Sequence, residues 1–200
     1  VNANLNQTNK MKKKMKNVLM ISITLILTTV FFGCDKNQLK EHGSLTVFMT
    51  DQPGDYDTVN VEVVGLKVKW QELDEEEDDE EDAGEWIDLE TETGNYDLLQ
   101  LQDGITAILT EEEEIPVGKI GQMRLMLGEN NYVVIDGEDY PLELTSQNET
   151  GLKFNLNAEI APDETTEVLF DFDAEKSIVV TGSGKYILKP TVKVVSVTYL

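Results

Sequence analysis

Cysteine and histidine occur once each, as Cys34 and His42, and both lie before the strand-like part of the chain. Triads that need histidine, and Cys–His pairs, are therefore excluded from the folded body. Carboxylates remain, 39 of them. Asp51, Asp55 and Asp57 crowd one turn, and Asp171, Asp173 and Glu175 alternate at a strand end. Hard oxygen ligands on such loops suit Ca²⁺, the one cofactor that spacing suggests. Neither group is an EF-hand loop: the glycine at the sixth position is missing, and Lys176 stands there in the second group. Turn aspartates that accept from backbone N–H groups account for both groups more simply. A carboxylate-dependent hydrolase is a more distant alternative, because no pair stands out among so many acids. Trp70 and Trp86 are candidate sugar-stacking platforms beside a long acidic loop. Aromatic residues in sheets serve more often as core or cross-strand pairs. Gly182-Ser183-Gly184-Lys185 resembles a phosphate loop only superficially. It lacks the earlier glycine, has Tyr186 where a Mg²⁺-binding hydroxyl belongs, and reads as a hairpin turn.

Ahead of these residues stands Val18–Phe32, fifteen uncharged and mostly apolar residues behind lysines 10, 12, 13, 14 and 16. As a helix this run spans roughly 22 Å, short of a ~30 Å hydrocarbon core. A basic n-region, a short apolar h-region and a small residue before the cut describe a secretory signal. Val30-Phe31-Phe32-Gly33-Cys34 resembles a lipobox, with cleavage between Gly33 and Cys34 and a lipid on Cys34. It departs from the usual pattern in the bulky Phe31 and Phe32. The alternative is a retained helix with a stray thiol at the membrane face. Acyl chains contribute ~0.8 kcal/mol per buried CH₂, so two or three of them make a stable anchor. An opening valine reads either as an alternative start codon or as a start placed too far upstream; with Met11 or Met15 as the start, residues 1–10 would be untranslated.

Five of the 16 basic residues lie in the leader, so residues 34–200 carry 11 basic and 39 acidic side chains, a net of −28. Such charge argues against nucleic acid and anionic lipid as partners, and leaves cations, basic proteins and neutral glycans. The expected organisation is a leader over 1–33, a polar tether over 34–43 that includes His42, and one domain over 44–200.

Within that domain the pattern is one of strands. Ser44–Thr50 alternates, and Asp51–Asp55 with Pro53 and Gly54 turns the chain. In Thr58–Trp70 the apolar parity switches from Val59, Val61 and Val63 to Leu66, Val68 and Trp70, as a bulge at Val64-Gly65 would make it. Asp74–Asp82, nine adjacent carboxylates, repel one another and read as a solvated hairpin tip within an acidic loop over 72–85. Glu85–Leu89 is its returning strand. Tyr96–Leu101 and Ile105–Leu109 read as strands or a helical turn, and Ile115–Gly118 as a turn into Gln122–Leu127. Asp136-Gly137 joins a hairpin, and Leu152–Asn157 and Glu167–Asp173 alternate. Ile178–Thr181 and Tyr186–Thr198 form the last hairpin, with Pro190 marking an edge or a bulge. Many short strands with regular turn signals predict an all-β domain, an antiparallel sandwich or barrel.

The blocks at 43–68, 94–104 (GNYDLLQLQDG), 115–127 (IPVGKIGQMRLML), 151–157 and 171–195 resemble, in order, the domain-of-unknown-function family numbered 4382. The resemblance covers nearly all of 43–197; the acidic run is an enlargement outside its pattern. It implies an envelope lipoprotein of a Gram-negative bacterium, anchored at the outer membrane, with a prealbumin-like or carbohydrate-binding-like β-sandwich body. It transfers no catalytic residues. The reading that follows is a non-enzymatic, lipid-anchored binding or structural module whose partner is a glycan or a protein. A surface glycan-binding accessory lipoprotein is the alternative.

Overall fold

The computed structural model describes residues 41–52, 54–73, 84–145 and 150–200. The leader, Gly33, Cys34 and the run 74–82 lie outside the described residues. Alternating β-branched and aliphatic residues make strands of most of what is described. In chain order these are β1 (His42–Thr50), β2 (Thr58–Gln71), β3 (Glu85–Leu89), β4 (Gly94–Asp97), β5 (Ala107–Pro116), β6 (Gly118–Leu127), β7 (Tyr132–Ile135) and β8 (Glu138–Leu144), followed by β9 (Leu152–Ile160), β10 (Thr165–Phe172), β11 (Ile178–Val180), β12 (Tyr186–Leu188) and β13 (Val192–Tyr199). A 3₁₀ helix, Leu98–Leu101, follows β4, and one helical turn, α1 (Ala174–Ser177), follows β10.

Two sheets result. The smaller runs β13-β10-β1-β5; the larger runs β11-β12-β8-β7-β2-β6-β9, with β3 and β4 also on β2. Both are mixed, which corrects the antiparallel expectation. β1 pairs parallel with β10 from Ser44↔Thr165 to Thr50↔Asp171, and β12 pairs parallel with β8. Each parallel pair joins segments far apart in the chain that are linked by crossovers and not by hairpins. The chain also changes sheet late. The single strand expected over 186–198 breaks at 189–191, because Pro190 offers no N–H to a ladder. β12 stays in the larger sheet while β13 pairs antiparallel with β10 in the smaller.

The inward sides share one core. Leu45, Val47 and Met49 of β1 meet Val168, Phe170 and Phe172 of β10, while Val61, Val68, Ile120, Met123 and Ile160 come from the larger sheet. The parity switch in β2 is present: Val59, Val61 and Val63, then Leu66, Val68 and Trp70, are buried, and the register with β6 shifts between Val63 and Gly65. β3 returns along β2 with Trp86 opposite Lys69, so β2 and β3 are the two arms of the expected hairpin. Asp136 and Gly137 both take positive φ between β7 and β8, as a tight hairpin turn requires.

Two boundaries differ from expectation, and one open choice is settled as a helical turn. β1 begins inside the segment expected as a tether, because His42 already pairs with Pro116. At Gly43 a Cβ would sit 2.3 Å from the Ala161 carbonyl oxygen, so only glycine lets the strand pass there. Leu98–Leu101 is the 3₁₀ helix, started by Asp97, whose side chain accepts from the Leu99 N–H at 3.2 Å. β5 runs through Glu111–Glu114 to Pro116, where a turn had been expected to begin. It is the outer strand of the smaller sheet, where water solvates the glutamates and their charge discourages further strand pairing.

Candidate functional site

The parallel pairing of β1 with β10 brings the two predicted acidic groups to one place. Asp51 leaves the end of β1 only 4% exposed. Its Oδ1 accepts from the Ala174 N–H at 2.9 Å and its Oδ2 from Gln102 Nε2 at 3.3 Å. Its own N–H donates to the Leu101 carbonyl at 3.0 Å. One residue thereby ties β1 to the 3₁₀ helix and to α1. Burial pushes its carboxyl up to about 6, with the nearby Asp171 charge adding to the rise and the hydrogen bonds from Ala174 and Gln102 opposing it.

Asp171 is also buried, at 2% exposure. Its Oδ2 accepts from Gln52 Nε2 at 2.6 Å, and its Oδ1 is buried without a partner. Burial raises its pKa; the Gln52 hydrogen bond works against that, and the Asp173 charge reinforces it. Asp173 caps α1, accepting from the Lys176 N–H at 2.9 Å and pairing with Lys176 Nζ. Burial raises its pKa, but the side-chain and backbone hydrogen bonds from Lys176 outweigh that and leave it below the ordinary value.

The remaining members of the two groups face solvent. Asp55, Asp57 and Glu175 are exposed, and Asp57 accepts from the Gly137 N–H at 3.0 Å. Among the described residues no three His, Cys, Asp or Glu side chains come together to hold a metal ion. Each acidic group that spacing offers as a Ca²⁺ candidate is therefore divided between buried and exposed positions. What assembles is Asp51, Asp171 and Asp173, drawn from both triads and bound to backbone N–H groups, amides and Lys176.

The tryptophans separate as sharply. Trp70 is 5% exposed, and its Nε1 donates to the Pro116 carbonyl at 2.8 Å. A Cβ on Gly118 would lie 2.4 Å from that nitrogen, so glycine allows the indole to close onto β6. Trp70 is a core residue, which corrects its assignment as a stacking platform; the parity switch in β2 turned it inward. Trp86, one pairing row away, lies outward and half-buried. Its ring is occupied by the protein's own cations: the Arg124 guanidinium carbon is 4.3 Å from the centroid and Lys153 Nζ is 5.7 Å away. Such a contact contributes about 0.5–2 kcal/mol. The row Asp88–Lys67–Arg124–Lys153 crosses four strands. Lys67 pairs with Asp88 at 2.7 Å. Residue order alone did not reveal this row, because it depends on cross-strand register.

Gly182-Ser183-Gly184 forms the turn from β11 to β12, closed by Thr181 N–H to the Lys185 carbonyl at 2.8 Å. Lys185 is bound to Glu143 at 2.9 Å, in keeping with a hairpin rather than a phosphate cradle.

The chain belongs to the family described as Domain of unknown function (DUF4382), whose model matches residues 42–190. Neither the comparison with curated proteins nor that with solved structures found a match.

Proposed function

We propose that this family member is a lipid-anchored β-sandwich module of the bacterial envelope that acts by binding rather than by catalysis. The observation that carries the reading is Asp51. A buried carboxyl poised near 6 is the signature expected of a catalytic acid or base. Here both its oxygens are engaged, one by a backbone N–H and one by an amide, and they fasten three elements together. The strongly tuned carboxyl thus has a structural use. Two mixed sheets around one core support a sandwich body, and such bodies present their loops and edges to partners.

The anchor rests on the order of lysines, apolar run, Gly33 and Cys34. With it goes a location in the envelope, at the outer membrane of a Gram-negative host. The net charge of −28 over residues 34–200 favours a neutral glycan or a basic protein over nucleic acid. Metabolic labelling with a clickable fatty acid tests the anchor: the wild type should carry the label and Cys34→Ser should not. Equal labelling of the two would overturn it.

A further inference from the structure

We propose that a depression over β6 and β9, at the edge where β9 meets Tyr199 of β13, is a binding site for a neutral saccharide. The proposal rests on the reading of the protein as a binding module and gives that reading a site and a ligand class. The depression has a volume of about 510 Å³ and is lined chiefly by Gln71, Lys119, Gly121, Asn157, Glu159 and Tyr199. That volume is in the range of small-molecule sites.

Its shape comes from a bulge. The register between β6 and β9 shifts between Ile120 and Gln122, so Gly121 alone faces Leu156 and Asn157. Asn157 takes φ 52°, a left-handed backbone that asparagine tolerates better than most residues. A Cβ built on Gly121 would meet nothing, so the floor there is open backbone. Tyr199 closes the far rim. It pairs with Thr166 of β10 in the smaller sheet, yet its hydroxyl accepts from the Glu159 N–H of β9 at 3.4 Å. The ring is half exposed, at 51%.

The lining selects the ligand class. Gln71 and Asn157 carry amides, which donate and accept at once and so suit vicinal hydroxyl pairs. Lys119 and Glu159 are cross-strand partners, and their opposite charges cancel within the site. An anion would find no net positive charge there and would be repelled by the strongly acidic body. A multivalent cation would find a single carboxylate among the lining residues. An apolar ligand would have to strip water from amides and charges. A pyranose ring satisfies both parts of the lining: hydroxyls for the amides and a C–H face for the tyrosine ring.

The test uses the full chain in mild detergent on an array of neutral oligosaccharides, followed by calorimetry with maltohexaose, cellohexaose and mannohexaose. At least one neutral oligosaccharide should bind, and Tyr199→Ala and Gly121→Leu should each weaken it tenfold or more. Gly121→Leu fills the depression, while Tyr199→Phe keeps the ring and should retain most of the affinity. Melting temperatures near that of the wild type show that the variants fold. Binding unchanged in both variants would overturn this site and leave the binding-module reading standing. No binding by the wild type to any neutral oligosaccharide would overturn the ligand class, while Cys34 labelling still reports separately on the anchor.

Discussion

The junction of β1, β10 and α1 and the edge between β9 and β13 use polar residues in opposite ways. At the junction Asp51, Asp171 and Asp173 are nearly inaccessible and hold chain ends together through N–H groups and amides. At the edge Gln71, Asn157 and Tyr199 line an open depression around a bulge. Acid clusters draw the eye in a sequence of this charge, yet the structure spends its buried acids on fastening. An amide, a glycine and a tyrosine form the accessible concavity. Most of these buried carboxylate oxygens find partners among nearby backbone and side chains and so become architecture, Asp171 Oδ1 being the exception. Exposed polar groups at a disrupted ladder remain available to a ligand.

The largest effect that sharpens this contrast is loss of the junction's tie. Asp51→Ala leaves the buried Ala174 N–H without its acceptor and the Gln102 amide with only the Gln52 carbonyl, and should lower unfolding stability by about 1–3 kcal/mol. Chemical denaturation reads this directly. A loss too small to measure would mean that Asp51 fastens nothing.

Next in size is a pH dependence. The folded-state pKa of Asp51 is raised from 3.8 to about 6, so the folded state binds that proton more tightly than the unfolded chain. Its contribution is fully present below the unfolded value, falls as pH rises through the window from about 4 to 6, and is flat above. Asp171, also raised, adds in the same direction, whereas Asp173, lowered, loses its contribution only as pH falls below the ordinary carboxylate range. Asp51→Asn keeps an acceptor for Ala174 but cannot ionise. Between pH 4 and 6.5 its stability should therefore gain steadily on the wild type. Parallel melting curves across that window would break the account of the junction.

The edge should behave differently. Tyr199 is exposed and a Cβ at Gly121 meets nothing, so Tyr199→Ala and Gly121→Leu should each change stability by no more than about 0.5 kcal/mol. A large loss in either would make the depression part of the architecture too. Smallest of all is the effect of the acidic run. Close carboxylate pairs repel by about 1 kcal/mol in water and less in salt. Replacing residues 74–82 with a short Gly-Ser turn should leave the melting temperature unchanged or slightly raised.

Much of the fold was legible because it is local. The parity switch at Val64-Gly65, the β2–β3 hairpin and the Asp136-Gly137 turn each declare themselves within one continuous stretch of chain. The pairing of β1 with β10 and the transfer of β13 to the smaller sheet depend on segments far apart in the chain, and alternation carries no record of partner. The junction was half legible: both acidic groups were noticed, but only the parallel register shows that Asp51 meets Asp171 and Asp173 while Asp55, Asp57 and Glu175 stay outside. Trp70 and Trp86 looked equivalent beside the loop, and one residue of parity separates core from surface. The depression gave no signal in the sequence, because Gly121, Asn157 and Tyr199 come together only through a bulge and the meeting of two outer strands.

The contrast between the two regions is tested most directly by following backbone amide resonances of the ¹⁵N-labelled full chain in detergent during titration with the oligosaccharide selected on the array. Saturable shifts are expected at Gly121, Asn157, Glu159 and Tyr199, with Asp51, Ala174 and Lys176 unmoved. Shifts centred on the junction, with the edge silent, would contradict that contrast.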